Sequence, residues 1–133
     1  MVAKYVPARG DIIKLDFDPT LGREQAGYRP ALIVTPRQFN QSTRLALVCP
    51  ITSKIKGFGL EVVLPDGLIT SGVILTFQVK TIDWYERQVK YIESLPVEIM
   101  EEVTAKLQAL KVDYGYVVGA EVQRWMSDNV NDG

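Results

Sequence analysis

Two kinds of hydrophobic periodicity divide this sequence and constrain its fold more than any other feature. Short alternating or continuous apolar segments, rich in Val and Ile, occupy most of the first 94 residues and are separated by Gly, Pro and Asp. After Ser94, the apolar residues Ile99, Val103, Leu107 and Leu110 recur every three or four positions. A period of two predicts strands, and a period near 3.6 predicts an amphipathic helix. The predicted strands cover residues 11–17, 31–35, 44–51, 60–64, 72–82 and 88–94.

Several short strands followed by one helix favour a mainly β fold, a small and mostly antiparallel barrel that packs against the helix. Ser94 suits the cap of that helix and Pro96 its first turn. The length of 133 residues suggests one domain. We predict that this domain spans residues 1–111 and that residues 112–133 form a C-terminal extension, either partly disordered or an extra helix.

The residue inventory excludes several kinds of chemistry. The chain has no histidine and a single cysteine, Cys49, so the usual general base and a zinc site are both missing. We therefore expect no zinc site. No segment approaches the roughly 18 apolar residues of a membrane helix, and no signal peptide is evident. A lone cysteine fits a reducing compartment, so we expect a cytoplasmic protein that does not bind membranes.

Charge is distributed unevenly along the chain, although the net charge is only −1. Residues 1–60 contain nine Lys and Arg against four Asp and Glu, whereas residues 61–133 contain six against twelve. This asymmetry indicates an anionic partner for the first half. A surface stabilised by salt bridges is the alternative, and charge alone slightly favours it.

The segment GREQAGYRPALIV (22–34) places charged and amide side chains directly before an apolar strand. Arg29 offers a planar fork that matches phosphate, and Glu24 could accept a proton from a hydroxyl group. Pro30 favours an extended backbone at Arg29. The alternative is a surface ion pair of little energetic value, which the residues alone favour.

Two further groups of polar residues are candidates for ligand binding. Thr52, Ser53, Lys54 and Lys56 follow the third predicted strand, where hydroxyl and ammonium groups could hold a phosphate. A polar hairpin loop is the default interpretation of that segment. Asp16 and Asp18 could hold Mg²⁺, but a turn before Pro19 is the favoured interpretation, because Asp is common there.

These residues together resemble the MazF/PemK-type toxins of bacterial toxin–antitoxin pairs. The resemblance runs from about Tyr5 to Leu110. It rests on G-D, F-D-P, E-Q-x-G-x-R-P-A, P-x-T, K-G and Q-V-K, in this order and spacing. One such motif alone would be weak evidence, but the ordered combination is specific.

The resemblance implies an SH3-like barrel that forms a homodimer and binds a MazE-like antitoxin. It also implies an endoribonuclease that cuts single-stranded RNA at short sequences and inhibits growth. The resemblance implies no metal and no cofactor, because the 2′-hydroxyl of the substrate itself attacks the adjacent phosphate. The products are a 2′,3′-cyclic phosphate and a 5′-hydroxyl.

Carried over position by position, the resemblance assigns catalytic roles to three residues. Arg29 would stabilise the charged phosphate, Thr52 would hold a phosphate oxygen, and Glu24 is the candidate base for the 2′-hydroxyl. The expected RNA-binding residues are Phe17, Gln25, Ser53, Lys54, Lys56, Gln78 and Lys80.

The sequence departs from the family in two places. Phe77 occupies a position that is often polar, which leaves the cleavage sequence open. The chain also continues about twenty residues beyond the usual family end. An added helix or a cloning remnant is the favoured interpretation of this extension, and self-inhibition by a tail in the RNA groove is the sharper hypothesis. The alternative functions are a non-catalytic, gyrase-poison type of toxin, or a module that binds an antitoxin or RNA.

Overall fold

A computed structural model describes residues 4–18 and 22–114, and for 111–114 only the backbone. This part of the chain forms seven strands, two helices and one 3₁₀ turn. The strands are β1 (Asp11–Asp16), β2 (Tyr28–Ile33), β3 (Leu45–Thr52), β4 (Glu61–Val63), β5 (Val73–Leu75), β6 (Lys80–Asp83) and β7 (Lys90–Ser94). The helices are α1 (Arg37–Thr43) and α2 (Val97–Tyr114), and the 3₁₀ turn is Thr76–Gln78.

All strand pairs are antiparallel, and β3 is the strand that joins the two parts of the sheet. One edge of β3 pairs with β2. The other edge pairs with β6 over Leu45–Val48 and with β5 over Ile51 and Thr52. The hydrogen-bonded path ends at β4 and at β7, and these two ends do not pair among the described residues. The predicted mainly β, antiparallel fold with a C-terminal helix is confirmed.

The predicted single strand over 72–82 is wrong, because the chain breaks it at the 3₁₀ turn. Both halves pair with the same edge of β3, so the chain must step sideways between them. Buried Thr76 fixes this step by donating its hydroxyl to the carbonyl of Leu60 at 2.5 Å. Seven strands therefore replace the six expected from the sequence.

The sequence prediction also missed helix α1, which has too few residues to show a hydrophobic period. Its fixed point is Asn40, a fully buried side chain. The Asn40 amide donates to the carbonyls of Pro7 and Thr35 at 2.8 and 2.9 Å. Its oxygen accepts the Thr35 hydroxyl at 2.5 Å. The helix is thus held by tertiary hydrogen bonds rather than by an apolar stripe.

Alternation along the strands places two apolar cores on the two faces of the sheet. The first core includes Ile12, Leu32 and Leu47, and α2 covers it with Val103 and other apolar side chains. The second core lies on the opposite face of the sheet. It consists of Ile13, Leu15, Phe17, Ala31, Ile33, Ala46, Val48, Ile82 and Trp84. Neither described helix is long and apolar enough to cross a membrane.

Candidate active site

Strand β2 positions Arg29 between two neighbouring strands. Arg29 pairs with Leu15 on β1. On the other side, Ala31 pairs with Pro50 of β3, and the same register continued by two residues sets Arg29 opposite Thr52. Directly opposed residues of antiparallel strands project to the same face. Arg29 and Thr52 therefore share the face of the second core, where β2 begins and β3 ends.

Local hydrogen bonds hold both of these side chains. The Nε of Arg29 donates to the carbonyl of Ala26 at 2.7 Å, which leaves the terminal nitrogens of the guanidinium for other partners. The hydroxyl of Thr52 is largely buried and accepts the backbone N–H of Lys54 at 3.2 Å. Accepting this bond leaves the hydroxyl proton available for a phosphate oxygen.

Gly72 brings the backbone of β5 into close contact with Thr52. A Cβ on Gly72 would lie 2.1 Å from the Thr52 carbonyl oxygen, and the φ angle of Gly72 is +116°. Glycine alone tolerates both conditions. The backbone of Thr52 is thus fixed against β5, where Thr52 pairs with Val73.

The basic loop, which we define as residues 53–60, is folded back onto a buried carboxylate. Glu61 is 7% exposed, and its side chain accepts the backbone N–H of Gly57 at 2.9 Å and that of Lys56 at 3.3 Å. Lys106 of α2 donates to the carbonyl of Gly59. These contacts fix the backbone, while the side chains of Ser53, Lys54 and Lys56 are exposed.

The loop before Arg29 is tied to the 3₁₀ turn by Gln78. The side-chain oxygen of Gln78 accepts the backbone N–H of Gln25 at 3.0 Å. Gly27 bonds to the N–H of Phe17 through its carbonyl at 3.0 Å and to the Asp18 carboxylate through its N–H at 3.2 Å. Glu24 is exposed on this loop, next to Gln25. The structure therefore brings the loop before Arg29 into contact with the 3₁₀ turn, although the two segments are 53 residues apart in the sequence.

Phe17 and Lys80 meet on the face of the second core. Phe17 is completely buried, and the Nζ of Lys80 lies 5.6 Å from the centre of its ring. A cation over an aromatic face is held by the charge distribution of the ring. Lys80 pairs with Val48 on β3, so it projects to the same face as Thr52. Phe17 thus positions Lys80 and has no exposed surface of its own.

Asp16 and Asp18 are used to shape a turn. The Asp16 carboxylate accepts the N–H of Asp18 at 2.9 Å, and Arg87 donates to both backbone carbonyls at 2.8 and 3.2 Å. No cluster of three His, Cys, Asp or Glu side chains capable of holding a metal occurs within residues 4–18 and 22–110. Both carboxylates thus accept backbone N–H groups of neighbouring loops, Asp16 from Asp18 and Asp18 from Gly27.

Two possible nucleophiles are unsuitable because burial keeps them protonated. Cys49 is completely buried in the first core, and desolvation raises the pKa of its thiol. Tyr5 donates its hydroxyl to Asp11 at 2.6 Å. Burial and this hydrogen bond raise the pKa of Tyr5. A thiolate or phenolate nucleophile is not formed at neutral pH in either place.

The sequence prediction missed the three residues that fix the basic loop, namely Glu61, Thr76 and Lys106. The alternation of LEVVL gives no signal for Glu61, because it sets Glu61 on the same face as exposed Val63, opposite buried Val62 and Leu64, although Glu61 itself is buried. Nothing in that alternation shows that the loop folds over Glu61. The predicted extension, 112–133, lies outside the described residues from 115 onward, and α2 includes residues 112–114.

Comparison with known proteins identifies a family over most of the chain. Residues 8–110 match the PemK-like, MazF-like toxins of type II toxin–antitoxin systems. The endoribonuclease toxin MazF of Escherichia coli (strain K12) is 43% identical over 110 residues. That match covers 83% of this chain and 98% of the relative.

Solved structures show the same similarity in three dimensions. The crystal structure of MazF from Deinococcus radiodurans superposes with a TM-score of 0.78 at 40% identity, over 80% of this chain and 97% of that chain. A crystal structure of MazE–MazF from the same organism gives a TM-score of 0.72 at 39% identity. It covers 80% of this chain and 96% of that chain.

Proposed function

The chain belongs to the PemK-like, MazF-like toxins of type II toxin–antitoxin systems and is an endoribonuclease, and from this premise we propose how it acts. It cleaves single-stranded RNA, including mRNA, at short specific sequences without a metal ion. The observation that carries this proposal is the register of β2 and β3, which sets Arg29 opposite Thr52 when it is continued by two residues beyond the pair of Ala31 and Pro50. The register of β3 and β6 sets Lys80 on the same face. Two cations and a hydroxyl on one face of the sheet supply the groups that bind the phosphates of an RNA strand.

The reaction begins with the 2′-hydroxyl of the RNA itself. Its oxygen attacks the adjacent phosphorus while Glu24 accepts its proton, and the bond from phosphorus to the 5′-oxygen breaks. The 5′-oxygen takes up a proton from solvent, which leaves a 2′,3′-cyclic phosphate and a 5′-hydroxyl. Glu24 suits the role of base because the chain contains no histidine and a carboxylate is the next common choice.

Arg29 and Thr52 stabilise the charge that develops on the phosphate. Arg29 acts through its terminal guanidinium nitrogens, because its high pKa makes it a poor acid. Thr52 donates its hydroxyl to a phosphate oxygen. Fixed donors aimed at a developing charge stabilise it more than mobile water does, so a metal ion is not needed. DNA lacks the 2′-hydroxyl and is not cleaved.

The remaining predicted contacts bind the RNA on either side of the cut. Lys54, Lys56 and Lys80 supply positive charge for phosphates, and Gln25, Ser53 and Gln78 supply hydrogen bonds. Phe17 acts through the position of Lys80. The basic loop presents its lysines from a backbone fixed by Glu61, which lowers the entropy lost when the lysines bind RNA.

The test is cleavage of a long single-stranded RNA by the purified chain in EDTA, followed by mapping of the ends. We expect discrete cuts with 5′-hydroxyl ends, and loss of cutting by at least a hundredfold in Arg29→Ala. Arg23→Ala is the matched control, because Arg23 is an exposed arginine of the same loop. Equal cutting by Arg29→Ala, or cutting only after metal is added, would contradict the proposal.

We also propose a homodimer whose cytoplasmic activity is neutralised by a cognate antitoxin of the MazE type. The MazE–MazF crystal structure supports this partner, since its toxin chain resembles the present chain over nearly its full length. Residues 1–111 would be the toxin unit. Co-expression of the chain with a candidate antitoxin should restore growth, and the purified complex should cut no RNA. An antitoxin that forms the complex without reducing cleavage would refute neutralisation.

A further inference from the structure

A cavity of about 620 Å³ lies at the opposite end of β3 from Thr52. Arg44 directly precedes β3, and Leu45 pairs with Asp83 next to Trp84, which places the cavity at the start of that strand. Its lining includes Lys4, Gln41, Arg44, Tyr85 and Gln88, and no carboxylate among the described residues. We call it the cationic pocket. Its volume is in the range of small-ligand sites.

The cationic pocket combines positive charge with an accessible aromatic ring. The guanidinium of Arg44 lies 4.5 Å from the centre of the Tyr85 ring, and the Nζ of Lys4 lies 5.6 Å from it. Tyr85 is 39% exposed. Neighbouring Trp84 is buried, and its indole N–H donates to the carbonyl of Asn40, so it forms a wall. Cations beside an exposed ring are the elements that bind single-stranded nucleic acid.

Backbone strain is concentrated at the same pocket. Among the described residues, the non-glycine residues with positive φ are Arg44 at 61° and Gln88 at 51°, and both line it. Arg44 ends α1 in the left-handed conformation, where glycine is the usual residue. A residue whose only task was to end the helix would not need a long cationic side chain. Strain of this kind is often retained where a side chain has a function.

We propose that the cationic pocket is an accessory site for single-stranded RNA, which holds a nucleotide several positions away from the cut. Arg44 and Lys4, which lie over the Tyr85 ring, bind its phosphate, and the exposed edge of Tyr85 contacts its base. Strand β3 separates the pocket from Thr52 by roughly 20–25 Å, at about 3.3 Å per residue. The inference rests on the proposed function, because it extends the path of the same RNA beyond the cleavage site.

The experiment measures binding of two RNA oligonucleotides that cannot be cut because every 2′-hydroxyl is methylated. One covers only a mapped cleavage site, and the other extends well beyond it on both sides. For Arg44→Gly we expect roughly tenfold weaker binding of the longer RNA. The slope of log affinity against log salt concentration should also become shallower by about the amount that one phosphate contact contributes. Binding of the short RNA should be unchanged. Lys90→Ala, which removes an exposed lysine on β7, is the control.

Thermal unfolding separates this role from a structural one. Glycine relieves the left-handed strain, so Arg44→Gly should unfold at the same or a higher temperature while it binds the longer RNA less well. Unchanged binding of the longer RNA, or equal weakening of both RNAs, would overturn the inference. So would selective loss of antitoxin binding, which would make the pocket a protein site. A wild-type chain that binds neither RNA would instead refute the proposed function.

Discussion

Replacement of Glu61 by alanine tests whether the basic loop must be held rigid for RNA to be cut. The Glu61 carboxylate accepts two backbone N–H groups of the loop, from Gly57 at 2.9 Å and from Lys56 at 3.3 Å. The substitution removes the acceptor without touching a lysine side chain. The loop remains tied by Lys106 and Thr76, so the fold should persist.

The cost in stability follows from these two hydrogen bonds. A hydrogen bond to a charged acceptor contributes about 1.5–3 kcal/mol to stability. The hydrogen bond from Lys56 is long, at 3.3 Å, and therefore contributes only part of that amount. Gly57 and Lys56 are exposed, so water can replace part of what is lost. We therefore expect Glu61→Ala to lower the free energy of unfolding by about 1–2 kcal/mol. Glu61→Gln keeps one acceptor oxygen and should cost less.

The assay is a double-mutant cycle on RNA cleavage with Glu61→Ala and Lys56→Ala. If Glu61 acts by fixing Lys56, each substitution alone should raise the KM for RNA, and the second should add little to the first. The expected coupling is about 1 kcal/mol, or roughly fivefold in KM. Glu61→Gln should restore part of the loss. Fully additive effects, or a loss of kcat alone, would refute the idea that the carboxylate positions the lysine.

Three further predictions concern other parts of the chain. Gly72→Ala should lower the free energy of unfolding by at least about 2 kcal/mol, because its Cβ would lie 2.1 Å from the Thr52 carbonyl oxygen; an unchanged melting temperature would contradict this contact. Burial raises the pKa of Cys49, so the folded chain keeps the thiol proton that the unfolded chain loses above about pH 8.5. The free energy of unfolding should therefore fall as the pH rises above that value, by up to about 1.4 kcal/mol per pH unit. Cys49→Ala should flatten that slope in urea titrations, and equal slopes would exclude the thiol as its source. A chain truncated after Tyr114 should cut RNA at the same rate as the full chain, whereas faster cutting would establish self-inhibition.

The elements predicted well from the sequence are those whose information is local. The segment DIIKLD became β1, with Ile13 and Leu15 on one face and Ile12 on the other, as alternation indicated. Helix α2 follows Pro96 with Val103, Leu107 and Leu110 packed on the sheet. In α2 a single face is buried, so the period of the apolar residues reports the structure directly. In β1 the side chains of Ile12 and Ile13 are both buried, on opposite faces, and the alternation of buried and more exposed side chains begins only at Ile13.

The elements predicted poorly depend on partners far away in the sequence. Residues 72–82 have the composition of one strand, and only the edge of β3, more than twenty positions earlier, makes the chain break between β5 and β6. The same holds for the loop contacts of the site. Gln78 binds the backbone of Gln25, 53 residues away, and no local pattern could reveal that pairing.

The proposed catalytic residues and the residues that hold the loops in place therefore differ in how far the sequence indicates them. Arg29 and Thr52 are assigned catalytic roles by their match to the family motifs E-Q-x-G-x-R-P-A and P-x-T, since the residues alone favour a surface ion pair and a polar hairpin loop. Glu61 does not stand out, since a glutamate at the start of a strand is ordinary until the chain folds over it. A carboxylate that is 7% exposed would destabilise the fold if it were unpaired. Its hydrogen bonds to the basic loop offset that cost, so Glu61→Ala should loosen the backbone at Lys56 and Gly57 while Lys106 and Thr76 still hold Gly59 and Leu60.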